Sequence, residues 1–406
     1  MKNALVIAEY NPFHNGHAHQ LRELKEVHGF DHVIALMSGD FVQRGAPAIL
    51  GKYRRTELAL KGGADLVIEL PVSFVLSGAG EYASAGVQMA KVLGAVDCLA
   101  YSCEDPAFFS EGNRDELSRV LSVLTDEPEA FREALSRSLK DGNSYPKARE
   151  EALVSLPELK SLRAQIEEVL RKPNNLLALS YETALRLFAP GLSSLPLERV
   201  GSGHAEETIG EDCSSGHAIR THIKEGRDLA SLKRSLPKDS FLALSEAKEA
   251  DSLLYTDDFT ELLKYRLLFD LHPEACQNVT PELADKLRKH QNHFGTLTEL
   301  AFLLKSKDLT LTRIRRGLFS LLLELKKSEA EAAPSYARLL GFQKSAEPLL
   351  SEIKRKSSIP LISKDADARL LLRKDLRASD VYRMILEKKS GRKTKNDLQQ
   401  PLIILN

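Results

Sequence analysis

Two histidines and a glycine stand together near the start of the chain, in the segment His14-Asn15-Gly16-His17. The two imidazoles are one helical turn apart, so both can hydrogen-bond phosphate oxygens and stabilise charge that develops at the phosphorus. A glycine between them lets the backbone approach a flat base or a phosphate closely. The start of a helix also offers free N–H groups to an anion. We therefore predict a nucleotide-phosphate site here. The alternative is that the two histidines only cap a helix or form a turn.

A second candidate phosphate site lies later in the chain. Ser214 and Ser215 precede a predicted helix that carries Arg220 one to two turns further on. Hydroxyls at a helix start suit a triphosphate, and arginine forms forked bonds to phosphate oxygens. Two serines in this position are more often simple N-cap residues. In combination with the first segment, we predict that they bind phosphate.

The loop around Asp40, Gln43, Arg44 and Lys52 follows a predicted strand. Open α/β sheets place ligand contacts in such loops. Arg44 would hold a carboxylate or a phosphate, and Asp40 would orient a metal or an amine. The alternative is that Asp40 is a turn residue and Arg44 a surface residue.

Short apolar runs alternate with helical patterns around these residues, and such runs predict buried strands. The predicted strands are 4–9, 32–37, 66–71 and 96–101, and the helices between them are 17–28, 52–61 and 80–93. This alternation is typical of a parallel sheet with right-handed crossovers. The first hundred residues therefore predict an α/β nucleotide-binding sheet.

The rest of the chain changes character. Charged, leucine-rich stretches predict a helical insertion over 106–171, and 196–200 predicts a return to the sheet before Gly201-Ser202-Gly203-His204. After residue 225, leucines recur at three- and four-residue intervals, as in helices. We predict a catalytic domain over 1–225 and a mainly helical domain over 226–406.

The 406 residues are electrically neutral, with 57 Lys+Arg and 57 Asp+Glu, but the charge is unevenly placed. Residues 301–406 hold 23 Lys+Arg and 12 Asp+Glu, a net charge of +11, and the remainder holds 34 against 45, a net charge of −11. Such asymmetry indicates a polyanion-binding region, or else a solvated basic face.

Basic residues of this region are candidates for phosphate contacts in RNA. They are Arg313, Arg315, Arg316, Arg338, Lys354, Arg355, Lys356, Arg373, Lys374 and Arg377. Three aromatic residues there, Tyr336, Phe342 and Tyr382, would either stack on unpaired bases or pack in the core.

Composition excludes several classes of protein. With 43% hydrophobic and 28% charged residues, the chain is neither disordered nor collagen-like. Cys98, Cys103, Cys213 and Cys276 form no disulfide framework and no metal motif. The longest apolar runs are too short for a membrane span, and no cleavage site follows the first residues. We predict a soluble cytoplasmic protein without a protein-held metal.

Longer stretches carry a family resemblance. The early H-x-G-H and the late S-S-x-x-x-I-R resemble the nucleotidylyltransferase superfamily, the α/β group that includes class I aminoacyl-tRNA synthetases. The resemblance narrows in 9–17, 38–45, 63–71, 173–177 and 199–203, and in the distal stretches 312–316, 340–342 and 378–382. Together these stretches resemble the bacterial tRNA(Met) cytidine acetate ligase family over nearly the whole chain.

The resemblance implies a fold and a two-step ligation. The fold would be an N-terminal Rossmann-like nucleotidyltransferase sheet of the HUP type with a helical insertion, followed by the helical region. ATP and acetate would form acetyl-adenylate and pyrophosphate. The wobble cytidine of elongator tRNA(Met) would then take the acetyl group and release AMP. Magnesium is expected with ATP, and the partners would be tRNA, ATP and acetate.

The resemblance also implies site residues, with His14 and His17 on the phosphates and Gly16 beneath the base or ribose. The candidate ATP-binding residues are Ile7, Ala8, Glu9, Tyr10, Asn11, Pro12, Phe13, His14, Asn15, Gly16, His17, Ala18, His19, Gln20, Ser102, Asn174, Asn175 and Arg199. The candidate catalytic residues are His14, His17, Asp40 and Arg44, and the candidate tRNA-binding residues are Arg313, Arg315, Arg316, Lys354, Arg355 and Lys356. Asn175 is a possible substitute for Asn174.

The sequence departs from the family at two places. Ser102 stands where the family usually has a glycine, and Gly216-His217 stands where it has small residues. Two other functions remain open on the residues alone. One is an adenylyltransferase acting on a small phosphate compound, and the other is a nucleotide-sensing RNA-binding protein without turnover.

Overall fold

The computed structural model describes residues 1–143, 145–200, 213–269, 272–307, 309–364 and 368–406. The segment Gly201-Ser202-Gly203-His204, which includes the last three residues of the family stretch 199–203, lies outside these ranges. Within them, no helix is both long enough and apolar enough to cross a membrane.

The strands form one large sheet and one small hairpin. They are β1 (Asn3–Ala8), β2 (His32–Ser38), β3 (Phe41–Val42), β4 (Ala46–Pro47), β5 (Leu66–Leu70), β6 (Cys98–Cys103), β7 (Ser193–Glu198), β8 (Ala337–Gln343), β9 (Leu361–Ile362) and β10 (Ile403–Leu405). The hairpin pairs β3 with β4 in the loop after β2. The large sheet contains the other strands.

Helices connect and cover the strands. They are α1 (Asn15–Glu26), α2 (Lys52–Lys61), α3 (Val72–Val75), α4 (Ala79–Leu93), α5 (Pro106–Phe109), α6 (Arg114–Asp126), α7 (Glu129–Lys140), α8 (Tyr145–Ser155), α9 (Arg163–Leu170), α10 (Pro173–Phe188), α11 (Gly216–Lys224), α12 (Lys238–Glu249), α13 (Thr260–Phe269), α14 (Pro281–His290), α15 (Leu297–Leu303), α16 (Leu311–Leu323), α17 (Lys327–Glu331), α18 (Glu347–Lys356) and α19 (Arg373–Ser390).

Five strands of the sheet are parallel and lie in the order β5-β2-β1-β6-β7. The strand order reverses between β1 and β6, because the chain moves outward from β1 in one direction and then returns to β6 on its other side. Open sheets of this kind bind ligands in the crevice at the carboxyl ends of the strands, at that reversal. The predicted parallel sheet is confirmed, although β6 and β7 are displaced by two to three residues from the predicted ranges.

Alternate side chains of each strand enter two different cores, as the twofold period of a strand requires. Leu5 and Ile34 pack into the core beneath α4 and α10, to which the helical insertion also contributes. Ala4 and Ala35 pack into the core beneath α1, α2 and α12. Both faces of the sheet are therefore covered, which explains why the strands read as continuous apolar runs.

The C-terminal part is mainly helical, as predicted, but it also extends the sheet. β8 pairs antiparallel with β5, and β9 and β10 each pair parallel with β8. Gly341 of β8 permits this packing, since a Cβ atom there would lie 2.6 Å from the carbonyl oxygen of Ile403 and 2.9 Å from Thr56 Cγ2. Because both parts of the chain share one sheet, the boundary near residue 225 stays a prediction.

Candidate active site

A cavity of about 390 Å³ opens at the carboxyl ends of β1, β6 and β7. This is the crevice that the strand reversal places there. The cavity is lined by Ile7, Ala8, Glu9, His14, Gly16, His17, His19, Gln20, Glu23, Gln43, Arg44, Ala79, Tyr82, Tyr101, Ser102, Pro173, Asn174, Leu176, Leu177, Tyr181, Glu198, Arg199 and Val200. We call it the first cavity.

The turn between β1 and α1 places the two histidines on the wall of this cavity. Tyr10 has a φ of 46°, in the left-handed region, and Asn11 Oδ1 accepts a hydrogen bond of 2.8 Å from the Ile49 N–H. Phe13 packs so tightly against Gly62 that a Cβ atom there would lie 2.2 Å from its ring. The turn is thus held from several sides, and His14 becomes the N-cap of α1.

His14 and His17 cap α1 through one ring nitrogen each. The Gly16 N–H donates to His14 Nδ1 at 3.2 Å, and the His14 N–H donates to His17 Nδ1 at 3.3 Å. The two rings stack with 3.7 Å between their centroids. Because each Nδ1 is an acceptor, a neutral imidazole must carry its proton on Nε2. Capping therefore leaves both Nε2–H groups as hydrogen-bond donors for a ligand.

Both imidazoles are neutral in the ligand-free protein. Burial, together with the charges of Arg199 and Arg220, lowers the pKa of His14 to about 3. Burial also holds the pKa of His17 well below its usual value, and His14 and Arg199 add to the effect. A neutral N–H donor can bind a phosphate oxygen without an added proton.

Arginines make the same wall electropositive. Arg199 Nε is buried and has no hydrogen-bond partner among the residues described. Burial lowers the pKa of Arg199, and the nearby charge of Arg44 contributes to that shift. A buried guanidinium group with an unused N–H and a second cation nearby favours an anion in the space between them.

Arg220 lies behind this wall. It donates to the carbonyl oxygen of Asn11, and burial lowers its pKa to about 10, with Arg44 acting in the same direction. Ser215 caps α11 by accepting from the Ala218 N–H at 3.1 Å, and Ser214 Oγ hydrogen-bonds Ser235 Oγ at 2.9 Å. None of the three lines the first cavity. The geometry supports the N-cap alternative for Ser215 and gives Arg220 a role in holding the turn.

Asn174 and Asn175 have different surroundings. Asn174 lines the cavity, and its Nδ2 donates to Glu104 Oε1 at 2.6 Å. Asn175 is fully buried, and its Oδ1 accepts from the N–H groups of Glu104 and Asp105 at 3.0 and 3.1 Å. Asn175 therefore fixes the end of β6 against α10, while only Asn174 faces the cavity.

Ser102, the departure from the family, also faces the cavity. Its Oγ accepts a hydrogen bond of 3.0 Å from Gln20 Nε2, which joins β6 to α1 across the cavity wall. Several other candidate ATP-binding residues do not line the cavity. They are Tyr10, Asn11, Pro12, Phe13, Asn15 and Ala18. Tyr10 and Phe13 instead pack their rings against that of His17, at 4.9 and 5.6 Å.

The opposite wall was missed from the sequence. It is formed by Ala79 and Tyr82 of α4 and by Leu176, Leu177 and Tyr181 of α10. Burial raises the pKa of both tyrosines, so they remain uncharged. Their positions follow the helical period of a core face, and the sequence offers no signal that separates a cavity wall from a core.

Asp40 lies away from the first cavity, in a buried ionic cluster. Asp40 Oδ1 accepts from the Lys52 N–H, and Oδ2 accepts from Ser379 Oγ, both at 2.8 Å. Lys52 Nζ donates to Glu69 at 3.0 Å and to Asp397 at 2.7 Å. These contacts tie the loop after β2 to α19 and to the C-terminal segment. They give Asp40 a positioning role, and its predicted catalytic contact has no counterpart in the geometry.

Most of the candidate RNA-binding residues separate into three groups. Arg315 belongs to none of them: it lies on α16, its Nε is buried without a partner among the described residues, and it does not line the second cavity. Arg313 and Arg316 of α16 line a second cavity, described below. Lys356 lies at the end of α18, where a Cβ atom on Gly94 would be 2.8 Å from its carbonyl oxygen. Gly94 lies four residues before Cys98, at the amino end of β6, so Lys354, Arg355 and Lys356 lie at the edge of the sheet opposite the first cavity.

The third group is buried. Arg338 is 1% exposed and pairs with Glu69 at 2.7 Å. Tyr336, Phe342 and Tyr382 are also buried, and Tyr382 Oη donates to the carbonyl oxygen of Ala48 at 2.9 Å. The alternative that these aromatic residues pack in the core is confirmed. Stacking on RNA by them, and phosphate binding by Arg338, were wrong, since burial removes these side chains from solvent.

The fold and this cavity define a nucleotide-binding α/β protein of the nucleotidyltransferase class. The family model described as HIGH Nucleotidyl Transferase matches residues 1–397. A relative named tRNA(Met) cytidine acetate ligase from Thermoanaerobacter sp. (strain X514) is 35% identical over 95% of this chain and 96% of its own. One of the same name from Acetivibrio thermocellus is 33% identical over the full length of both chains.

Solved structures agree with these relatives. The crystal structure of Thermotoga maritima TmcAL without ligand superposes with a TM-score of 0.90 and 28% identity over all of both chains. The form bound with alpha-thio ATP gives a TM-score of 0.86 over the same coverage. The chain belongs to the HIGH nucleotidyl transferase family and, within it, to the tRNA(Met) cytidine acetate ligases.

Proposed function

We propose that this protein acetylates the wobble cytidine of elongator tRNA(Met) to N4-acetylcytidine, using ATP and acetate. The observation that carries the proposal is the pair of neutral Nε2–H donors beside Arg199, at the reversal point of the sheet. Relatives named tRNA(Met) cytidine acetate ligase and the similar fold of Thermotoga maritima TmcAL support it. A related structure binds an ATP analogue. The site therefore suits a triphosphate whose α-phosphorus is attacked.

The reaction has two balanced steps. A carboxylate oxygen of acetate forms a bond to the α-phosphorus of ATP while the bond to pyrophosphate breaks, which gives acetyl-adenylate. The exocyclic nitrogen of cytidine then forms a bond to the acetyl carbonyl carbon. The bond between that carbon and the AMP oxygen breaks, AMP leaves, and the nitrogen loses one proton.

The wall of the first cavity suggests how its residues divide the work. His14 and His17 would donate their Nε2–H groups to phosphate oxygens, where negative charge accumulates as the bond to acetate forms. Arg199 and Arg44 would bind the same phosphates. Gly16 would lie against the base or ribose, and the apolar wall of α4 and α10 would exclude water from the mixed anhydride.

Magnesium would enter as part of the ATP substrate. Among the described residues, no group of three or more histidine, cysteine, aspartate or glutamate side chains could hold a metal ion. Mg²⁺ retains several waters and is often bound through substrate phosphates, so the chain need supply few ligands. A cytoplasmic location is proposed because ATP and tRNA are found together there.

The test is incubation with ATP, labelled acetate and unmodified tRNA, followed by nucleoside analysis for N4-acetylcytidine. We expect label in RNA and one AMP for each acetyl group. An adenylyltransferase acting on a phosphate compound would release pyrophosphate without any requirement for acetate. A non-catalytic nucleotide-sensing protein would bind ATP and produce no AMP. Either result would refute the proposed function.

A further inference from the structure

A second cavity, of about 560 Å³, adjoins the first. The two cavities share three lining residues, Gln43, Ala79 and Leu176. Gln43 is held in place, because its N–H donates to Glu9 Oε1 at 2.9 Å and its Nε2 donates to the carbonyl oxygen of Ser77 at 3.2 Å. A ligand in the second cavity that contacts these three residues therefore lies next to the ligand of the first cavity.

Three arginines line the second cavity but not the first. They are Arg149 of α8 and Arg313 and Arg316 of α16. The guanidinium groups of Arg149 and Arg313 form no hydrogen bond with any part of the chain that the structure describes. Burial lowers the pKa of Arg149, and burial lowers the pKa of Arg316 to about 10. Partly buried arginines without partners, as Arg149 and Arg313 are, suit phosphate oxygens.

The second cavity also has a flat, accessible ring. Tyr145, at the start of α8, lines it and is 55% exposed. Exposed tyrosines are stacking surfaces for unpaired bases, and RNA-binding proteins read splayed-out bases in this way. Asn278 and Ser180 add polar groups to the wall, and Glu81 and Glu127 add carboxylates. Asn278 Oδ1 accepts from Arg316 Nε at 3.4 Å. Acetate is far too small to occupy a space with this lining.

We propose that the second cavity holds one nucleotide of the RNA, turned out of its stack, with its base on Tyr145 and its flanking phosphates on Arg149, Arg313 and Arg316. This inference rests on the proposed function, because it needs an RNA amine to reach an acyl group in the first cavity. The shared residues Gln43, Ala79 and Leu176 mark the passage through which the amine reaches it. Enzymes that modify a base inside structured nucleic acid commonly extrude it into such a pocket.

The first test removes a phosphate contact. We expect Arg149→Ala to raise the KM for tRNA about tenfold or more, the range for lost hydrogen bonds to charged groups. The acetate-dependent exchange of pyrophosphate into ATP should keep its KM for ATP, which also shows that the variant is folded. Arg132→Ala is the matched control, since Arg132 is an exposed arginine of the same helical insertion and does not line the cavity.

The second test concerns the base. The probes are anticodon stem–loop RNAs with cytidine or with an abasic residue at the wobble position. We expect wild type to prefer the cytidine probe about tenfold, the contribution of one stacked base. Tyr145→Ala should abolish that preference and Tyr145→Phe should retain it.

The outcomes separate this inference from the proposed function. If wild type forms no N4-acetylcytidine, the function itself fails. If wild type acetylates tRNA but Arg149→Ala and Tyr145→Ala behave like Arg132→Ala, the second cavity does not receive the nucleotide. A rise in the KM for ATP, with that for tRNA unchanged, would assign the arginines to the triphosphate and overturn the inference.

Discussion

At the scale of single residues, each of the two histidines in the first cavity can cap a helix and bind a ligand at the same time. Nδ1 of each ring closes the first turn of α1, and Nε2–H of each remains for a ligand. The capping alternative and the phosphate-binding prediction are therefore compatible. Because the two rings stack, protonation of one imidazole would disfavour protonation of the other, so the pair does not carry two positive charges.

We predict that His17→Ala abolishes acetate-dependent pyrophosphate release. Loss of one preorganised donor to a transition-state charge lowers kcat by about 10²- to 10³-fold. Binding of tRNA should change little, because His17 lies in the first cavity. His28→Ala is the control, since that histidine follows α1 and does not line the cavity. Equal losses of pyrophosphate release and tRNA binding in His17→Ala would indicate a folding role instead.

A second residue-scale prediction concerns pH. The pKa of His14 is about 3 in the folded chain and about 6.5 when the chain is unfolded, so the unfolded state binds more protons between these values. The stability that this neutral histidine confers is complete above pH 6.5 and decreases as the pH falls toward 3. At pH 5.5 the loss should be about 1 kcal/mol of unfolding free energy. Urea unfolding at pH 7.5 and 5.5 measures it.

The control for this pH effect is His14→Gln, which retains an acceptor but cannot titrate. The difference in unfolding free energy between the two pH values should be smaller in the variant by the His14 contribution. An unchanged difference would mean that His14 is protonated in the folded chain. It would also remove the argument for a neutral Nε2–H donor at the phosphate.

At the scale of elements, the buried cluster around Lys52 joins three distant parts of the chain. Lys52 of α2 contacts Glu69 of β5, Ser379 of α19 and Asp397 near the C-terminus. The charges are close to fully buried. The same cluster holds Asp40, and so fixes the loop that carries Gln43 and Arg44 to the cavity.

We predict that Lys52→Met lowers the unfolding free energy by about 3–5 kcal/mol, because Glu69 and Asp397 lose a buried partner. Arg54→Met, on the same helix, removes solvent-accessible ion pairs to Glu57 and Glu246 and should cost at most about 1 kcal/mol. Urea denaturation of both variants provides the comparison. Similar small losses would mean that the cluster contributes little to the attachment of the C-terminal segment.

The sequence was sufficient for elements that are defined locally. β1, β2 and β5 were predicted because each is a continuous apolar run, as expected for a strand that is covered on both faces of the sheet. β8 was not, since Ala337–Gln343 lies among leucine-rich helices, where an apolar run does not distinguish strand from helix. Its pairing with β5, more than 260 residues earlier in the chain, and with β9 and β10 makes it a strand.

The candidate site has the same limit. The position of H-x-G-H at the start of α1 depends on adjacent residues and could be predicted. The direction of a loop side chain such as Asp40 depends on α19 and the C-terminal segment, which are distant in sequence. The tyrosines of α4 and α10 follow the pattern of core residues, so their contribution to the cavity becomes visible only in the folded chain.

At the scale of the whole molecule, the neutral total charge is the sum of an acidic part, residues 1–300, and a basic part, residues 301–406. The basic C-terminal region does not present all its charge to one partner, because Arg338 is buried and other arginines are paired. Arg377 pairs with Glu324, and Arg383 pairs with Asp380 and Glu387. Arg313 and Arg316 of α16 instead line the second cavity, which adjoins the first.

We predict that affinity for tRNA falls steeply with salt, because each phosphate contact releases condensed counterions. Removing one contact should reduce the slope of log affinity against log salt by about 0.7 to 0.9. We expect that reduction for Arg313→Ala and none for Arg163→Ala, an exposed arginine of α9 paired with Glu167. The same titration of Lys354→Ala measures whether tRNA also reaches the opposite edge of the sheet, where a reduced slope would place a second contact. A flat salt dependence in the wild type would refute binding by the basic region altogether.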